Sequence, residues 1–143
     1  MKVQQLSLFL ENKPGQLIEP FRLLAAADVD VRTATLADTE QFGIVRLIVS
    51  DPDKAKGILD GAGHVVKLTE VLAILIPDRP GGLAEVLGVF EDTDVNIVYM
   101  YGFTGRQDSA VIIFRFDDPD TAIDLLKRAG IGVLESVEVY NGS

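Results

Sequence analysis

Leu6-Ser7-Leu8-Phe9-Leu10-Glu11-Asn12-Lys13-Pro14-Gly15-Gln16-Leu17 recurs 66 positions later as Leu72-Ala73-Ile74-Leu75-Ile76-Pro77-Asp78-Arg79-Pro80-Gly81-Gly82-Leu83. Each copy carries an apolar run into a Pro-Gly turn, so the chain reads as one unit written twice. A second echo fixes the period. Asp51-Pro52-Asp53 with Ala55, Leu59, Ala62 and Gly63 returns 67 positions later as Asp118-Pro119-Asp120 with Ala122, Leu126, Ala129 and Gly130. One inserted residue lies between the two echoes, in a hairpin link.

Working outward from the turns, the apolar runs 3–11 and 71–77 predict first strands, each ended by its Pro-Gly. Leu17, Phe21 and Leu24, like Leu83, Leu87 and Phe90, stand at i, i+4 and i+7 and predict an apolar helical stripe. Pro20 falls where the second copy has Val86, so the first copy's helix is expected to begin late enough to keep Pro20 in its first turn. Strands are predicted over 29–37 and 42–50, then 95–103 and 109–116, joined by polar hairpin links. Asp51 and Asp118 read as N-caps with Pro52 and Pro119 at the first helical position. A last strand is expected near 65–69 and again near 133–140.

The order strand, helix, strand, strand, helix, strand, met twice, predicts an α+β protein. Its architecture is two tandem ferredoxin-like βαββαβ sandwiches with antiparallel sheets, over residues 1–69 and 70–143. The run Val71–Ile76 is apolar on both faces of its strand. Either the two sheets therefore join within the chain or a second chain packs on them, and a homo-oligomer, a dimer at the simplest, is expected.

The 143 residues carry 13 Lys and Arg against 22 Asp and Glu, a net charge of −9, which repels nucleic acid and anionic membrane surfaces. Phe114 and Phe116 share a strand face as stacking aromatics of an RNA-recognition module would. Asp117, Asp118 and Asp120 beside them argue against that reading. No apolar stretch approaches the ~20 residues of a membrane span, and residues 1–11 lack the pattern of a secretory signal, so a cytoplasmic protein is expected. The absence of cysteine excludes disulfides, thiolate metal sites and cysteine nucleophiles. His64, the single histidine, is expected at the surface or a strand edge, and neither a metal nor a cofactor is expected.

The turn segments join a strand end to a helix start, where free N–H groups and the helix dipole attract a carboxylate and glycine admits close approach. The turns Asn12-Lys13-Pro14-Gly15-Gln16-Leu17 and Asp78-Arg79-Pro80-Gly81-Gly82-Leu83 are followed by Asp28-Val29-Asp30-Val31 and Asp94-Val95-Asn96-Ile97. In this pattern the chain resembles a tandem pair of ACT domains along essentially its whole length. ACT domains are small-molecule sensors, usually of amino acids, that regulate enzymes of amino-acid metabolism, and stand-alone pairs occur.

In amino-acid-sensing members, such as the serine-regulated phosphoglycerate dehydrogenases, two asparagines bind the effector across an interface between ACT units. One precedes the basic-Pro-Gly turn and one opens the second strand. The resemblance places these positions at Asn12 or Asp78 and at Asp30 or Asn96. Neither copy holds both asparagines, so each is expected to complement the other.

The resulting expectation is a non-catalytic amino-acid sensor whose partners are a free amino acid, a further copy of itself and a metabolic enzyme or regulator. Its ligand-binding set is Asn12, Pro14, Gly15, Gln16, Leu17 and Asp30, with Asp78, Pro80, Gly81, Gly82, Leu83 and Asn96. Turn amides at Gly15, Gln16, Gly81 and Gly82 would receive a carboxylate, and Asp30 or Asp78 an ammonium. Tyr99, Tyr101 and Phe103 are expected on one strand face, packing in the sheet or lining a pocket. Two alternatives stand beside the sensor. One is a structural or oligomerisation module without effector; the other is a small phosphatase-like enzyme using Arg79 and Asn96.

Overall fold

The computed structural model describes residues 1–38, 41–106 and 109–141. The tips of both predicted hairpin links, with the inserted residue expected there, lie outside the described residues. Two compact units are present, one formed by Gln4–Thr69 with the chain's end from Val139, the other by Met1–Val3 with Glu70–Glu138. Both have the antiparallel α+β construction that the repeat predicts.

In the first unit, strands β1 (Lys2–Glu11), β2 (Val31–Asp38), β3 (Phe42–Val49) and the start of β4 (Val65–Pro77) lie in the order β2-β3-β1-β4. The register pairs Leu8 with Val45 and Glu11 with Phe42 between β1 and β3, and Val31 with Val49 between β2 and β3. Helices α1 (Ile18–Ala26) and α2 (Pro52–Gly61) complete it. Leu6, Leu8, Leu10, Leu24, Leu47, Val49, Ala55 and Leu59 form its core. Alternate residues of β1 face the helices, as a strand's two-residue period requires.

In the second unit, the remainder of β4, β6 (Ser109–Phe116) and β5 (Ile97–Arg106) lie in that order, with α3 (Gly82–Gly88) and α4 (Pro119–Arg128). Its core is the first core rewritten with larger side chains: Leu72, Ile74, Ile76, Val86, Phe90, Phe114, Phe116, Ala122 and Leu126. Phe114 and Phe116 stack 5.7 Å apart and are buried, so neither offers a face to a nucleic-acid base.

The Asp-Pro-Asp caps form as expected. Asp51 accepts from the Lys54 N–H at 3.2 Å and Asp118 from the Thr121 N–H at 3.1 Å, each with its proline opening the helix. Three expectations need correction. The predicted strands 65–69 and 71–77 are one continuous strand, β4. The predicted strand 133–140 is absent: Val133 makes a single bridge to Ile74, and Ser136–Asn141 is a helix, α5. The Glu135 N–H donates to Glu138 Oε1 at 3.2 Å, the reach-back half of a capping box, which turns the chain into the helix. His64 is largely buried, with Nε2 3.5 Å from the Glu19 carboxylate.

Candidate functional site

The two turns are built alike. In the first, the Lys13 N–H donates to Glu11 O at 2.9 Å and the Gln16 N–H to Lys13 O at 3.3 Å; in the second, Arg79 donates to Pro77 O at 2.9 Å and Gly82 to Arg79 O at 3.0 Å. Gly15 and Gly81 sit at φ +83° and +84°, the left-handed region that glycine enters without a Cβ penalty. The Gln16 and Gly82 amides are therefore engaged within the turns rather than offered to a carboxylate.

Beyond the turns the two copies diverge. In the second copy the helix starts at Gly82, and the Glu85 N–H donates to Gly81 O at 3.0 Å, the first rung of an i to i−4 ladder whose next donor is Val86. The equivalent donor to Gln16 O would be the nitrogen of Pro20, which has no hydrogen, so α1 starts two residues later at Ile18. Pro20 lies in its first turn, as expected. Leu17 is left outside the helix and 40% exposed, departing from the predicted stripe.

A cavity of about 440 Å³ lies at this turn, lined by residues 10–17 together with Leu36 and Gly43. A second, of about 330 Å³, shares Gly15 and Leu17 with it and adds Ile18 and Phe21. Asn12, Pro14, Gly15, Gln16 and Leu17 are thus brought to one cavity. Lys13, part of the turn motif but not of the expected ligand set, lines it too, and Glu11, Leu36 and Gly43 were not anticipated. The glycine inside β3 was the available signal, since a strand glycine marks a close approach; a Cβ on Gly43 would meet Leu36 Cδ1 at 3.3 Å. Lys13 Nζ lies 2.5 Å from Glu11 Oε2, and that hydrogen bond holds the ammonium above its ordinary titration range.

The second turn is tighter. A Cβ on Gly82 would fall 2.0 Å from Pro77 O, and Arg79 straps the turn to α3 through Glu85, with contacts of 2.8 and 2.9 Å. Asp78, Pro80 and Gly81 are exposed beside it, and Leu83 packs into the second core.

Asp30 and Asn96 lie elsewhere in their units. Asn12 follows the Glu11–Phe42 pair while Asp30 precedes the Val31–Val49 pair, so within the unit the length of β3 separates them, about 23 Å at ~3.3 Å per residue. Asp78 and Asn96 stand at opposite ends of β6 in the same way. Both β2 and β5 are closed there by one device: Ser50 Oγ accepts from the Asp30 N–H at 2.9 Å, and Asp117 Oδ1 from the Asn96 N–H at 2.8 Å. The Asp30 carboxylate pairs with Arg32. Arg79 and Asn96, the pair of the phosphatase-like alternative, do not meet within the unit.

Tyr99 and Tyr101 stack 6.3 Å apart on β5, with the Arg115 guanidinium 5.8 Å above Tyr99. Phe103 falls at a register shift between Gly102 and Thr104, yet like Tyr99 and Tyr101 it is half-buried while Val98, Met100 and Gly102 between them are exposed. Among the described residues no helix is long and apolar enough to cross a membrane, and no three His, Asp or Glu side chains are grouped to hold a metal ion.

A sequence model described as an ACT domain pair matches residues 1–139. Among solved structures, a protein from Bacteroides thetaiotaomicron is similar at 38% identity with a TM-score of 0.92, over 98% of this chain and 96% of that one. The ligand-free regulatory subunit of aspartate kinase from Thermus thermophilus is similar at 16% identity and TM-score 0.64, over 88% of this chain and 91% of its own. The same subunit from Thermus flavus is similar at 15% identity and TM-score 0.61, over 89% and 92%. These two likenesses are of fold. A search of curated proteins returns no match.

Proposed function

The chain belongs to the ACT domain pair family, and on that footing we propose that it is a non-catalytic sensor that binds a free amino acid at the first strand-to-helix turn. The observation that carries the reading is the 440 Å³ cavity at that turn, just before the α1 start that Pro20 delays. Its volume lies in the range of small-molecule sites, and oppositely charged side chains stand at its rim. Asn12, Pro14, Gly15, Gln16 and Leu17 are the proposed contacts. Asp78, Pro80, Gly81, Gly82 and Leu83 form a second candidate, and Asp30 and Asn96 would act only on a ligand reached from outside their own unit's turn. Binding stabilises the state that carries the formed cavity, and the loaded protein regulates an enzyme of amino-acid metabolism.

The test is thermal unfolding against each of the twenty amino acids at millimolar concentration. A ligand at 100 times its Kd stabilises by about 2.7 kcal/mol, so a selective rise in Tm is expected. A flat response across the panel sinks the sensor reading. Homo-oligomerisation is the accompanying proposal, supported by exposed Val98 and Met100 on β5. Sedimentation at a single monomer mass across micromolar concentrations would refute it.

A further inference from the structure

We propose that the amino acid bound at the first turn has an apolar side chain, an assignment that rests on the sensor reading and narrows it. The cavity's lining combines two chemistries. Glu11 and Lys13 carry one charge of each sign, and both are well exposed, so turning from each other to a ligand requires little desolvation. A zwitterionic α-amino acid matches that pair: Lys13 donates to its carboxylate, and its ammonium donates to Glu11.

Leu10, Pro14, Leu17 and Leu36 give the lining its hydrocarbon, beside the uncharged amides of Asn12 and Gln16, and Gly43 leaves room that a Cβ would take 3.3 Å from Leu36 Cδ1. Leu36 is 58% exposed and Leu17 40%, so a ligand that covers them removes apolar surface from water. The adjoining cavity at Ile18 and Phe21 extends the same apolar wall. A ligand with a charged side chain would bring a third charge where the lining holds no further counter-charge. A small polar one would leave both leucines wet.

Titration calorimetry on the full chain tests this, using leucine as the probe against serine, aspartate and lysine, and repeating each with Leu36→Asn and Leu36→Met. Leucine is expected to bind at least about tenfold more tightly than the polar three. Leu36→Asn should lose about tenfold of that affinity while Leu36→Met keeps it. Leu36 is exposed on an edge strand, so both variants should show wild-type circular dichroism. Tightest binding of a polar or charged amino acid overturns the apolar assignment alone, as does leucine binding indifferent to Leu36→Asn. Binding of no amino acid at all overturns the sensor reading beneath it.

Discussion

Gly82 is the most constrained single residue of either turn, because the space a methyl group would occupy already holds the Pro77 carbonyl oxygen at 2.0 Å. Gly82→Ala must push β4 and α3 apart, and overpacking of this kind costs about 2 to 3 kcal/mol, read as a lower denaturation midpoint. An unchanged midpoint would mean that the turn relaxes freely. The equivalent Gln16 carries a side chain in the looser first turn, so the same repeat position separates a closed turn from an open one. Both Pro-Gly turns and both Asp caps were legible in the sequence, since each depends on neighbours within a few residues. Leu36 and Gly43 were not. They reach the cavity through the β2–β3 register, which pairs Asp38 with Gly43 and Leu36 with Val45. The register shift at Phe103 was likewise not legible, since two-residue alternation does not encode one.

The helices show how one residue redirects an element. Val86 has the N–H that a helix begun at Gly82 needs, whereas Pro20 withholds the donor that would start α1 at Gln16. Pro20→Val, which places the second copy's residue in the first, should therefore lengthen α1 at its start and narrow the cavity. The expected result is a gain in helical circular dichroism with a reduced Tm shift from the bound amino acid. Full ligand response with unchanged helicity would refute that role for Pro20.

The cap of α4 offers a pH test. Hydrogen bonds from the Thr121 hydroxyl and then its N–H hold the Asp118 carboxyl below its ordinary value of 3.8. The folded state thus resists protonation more than the unfolded chain. Its advantage is complete above that value and is lost as pH falls through the lower folded-state value. The Tm gap between wild type and Asp118→Ala should stay level from pH 7 to about 4 and close below it. A gap that closes near neutrality would assign the stabilisation to another group. Strand 133–140 was misread because its alternating valines fit a strand by period, while the Glu138 reach to the Glu135 N–H settles the ending locally.

At the scale of the whole molecule, the chain's ends do not stay with the halves they adjoin in sequence. Met1 carries its ammonium 3.1 Å from Glu135 in the second unit, and Lys2 pairs there with Glu70 and Asp120. Val139 and Tyr140 belong to the first. Tyr140 accepts the Gln4 N–H on its hydroxyl at 2.7 Å and the Arg32 Nε–H on its carbonyl at 2.8 Å, and burial pushes its hydroxyl above the ordinary tyrosine range. Val139 is 1% exposed.

The period of the repeat could not show this, because it concerns which strand each end meets rather than what each copy is made of. A chain stopped after Glu138 would retain every residue of the first repeat yet strip the first unit of its closing segment. Losing the buried valine removes about 2 kcal/mol and the two hydrogen bonds about 1 kcal/mol each, a large share of the 5–15 kcal/mol that holds a domain folded. Urea denaturation followed by hydrogen exchange should show the loss concentrated in residues 4–69, with Leu6, Leu8 and Leu47 exchanging early. If the truncated chain instead loses protection first in residues 70–138, the closing segment serves the second unit and the division of the ends is wrong.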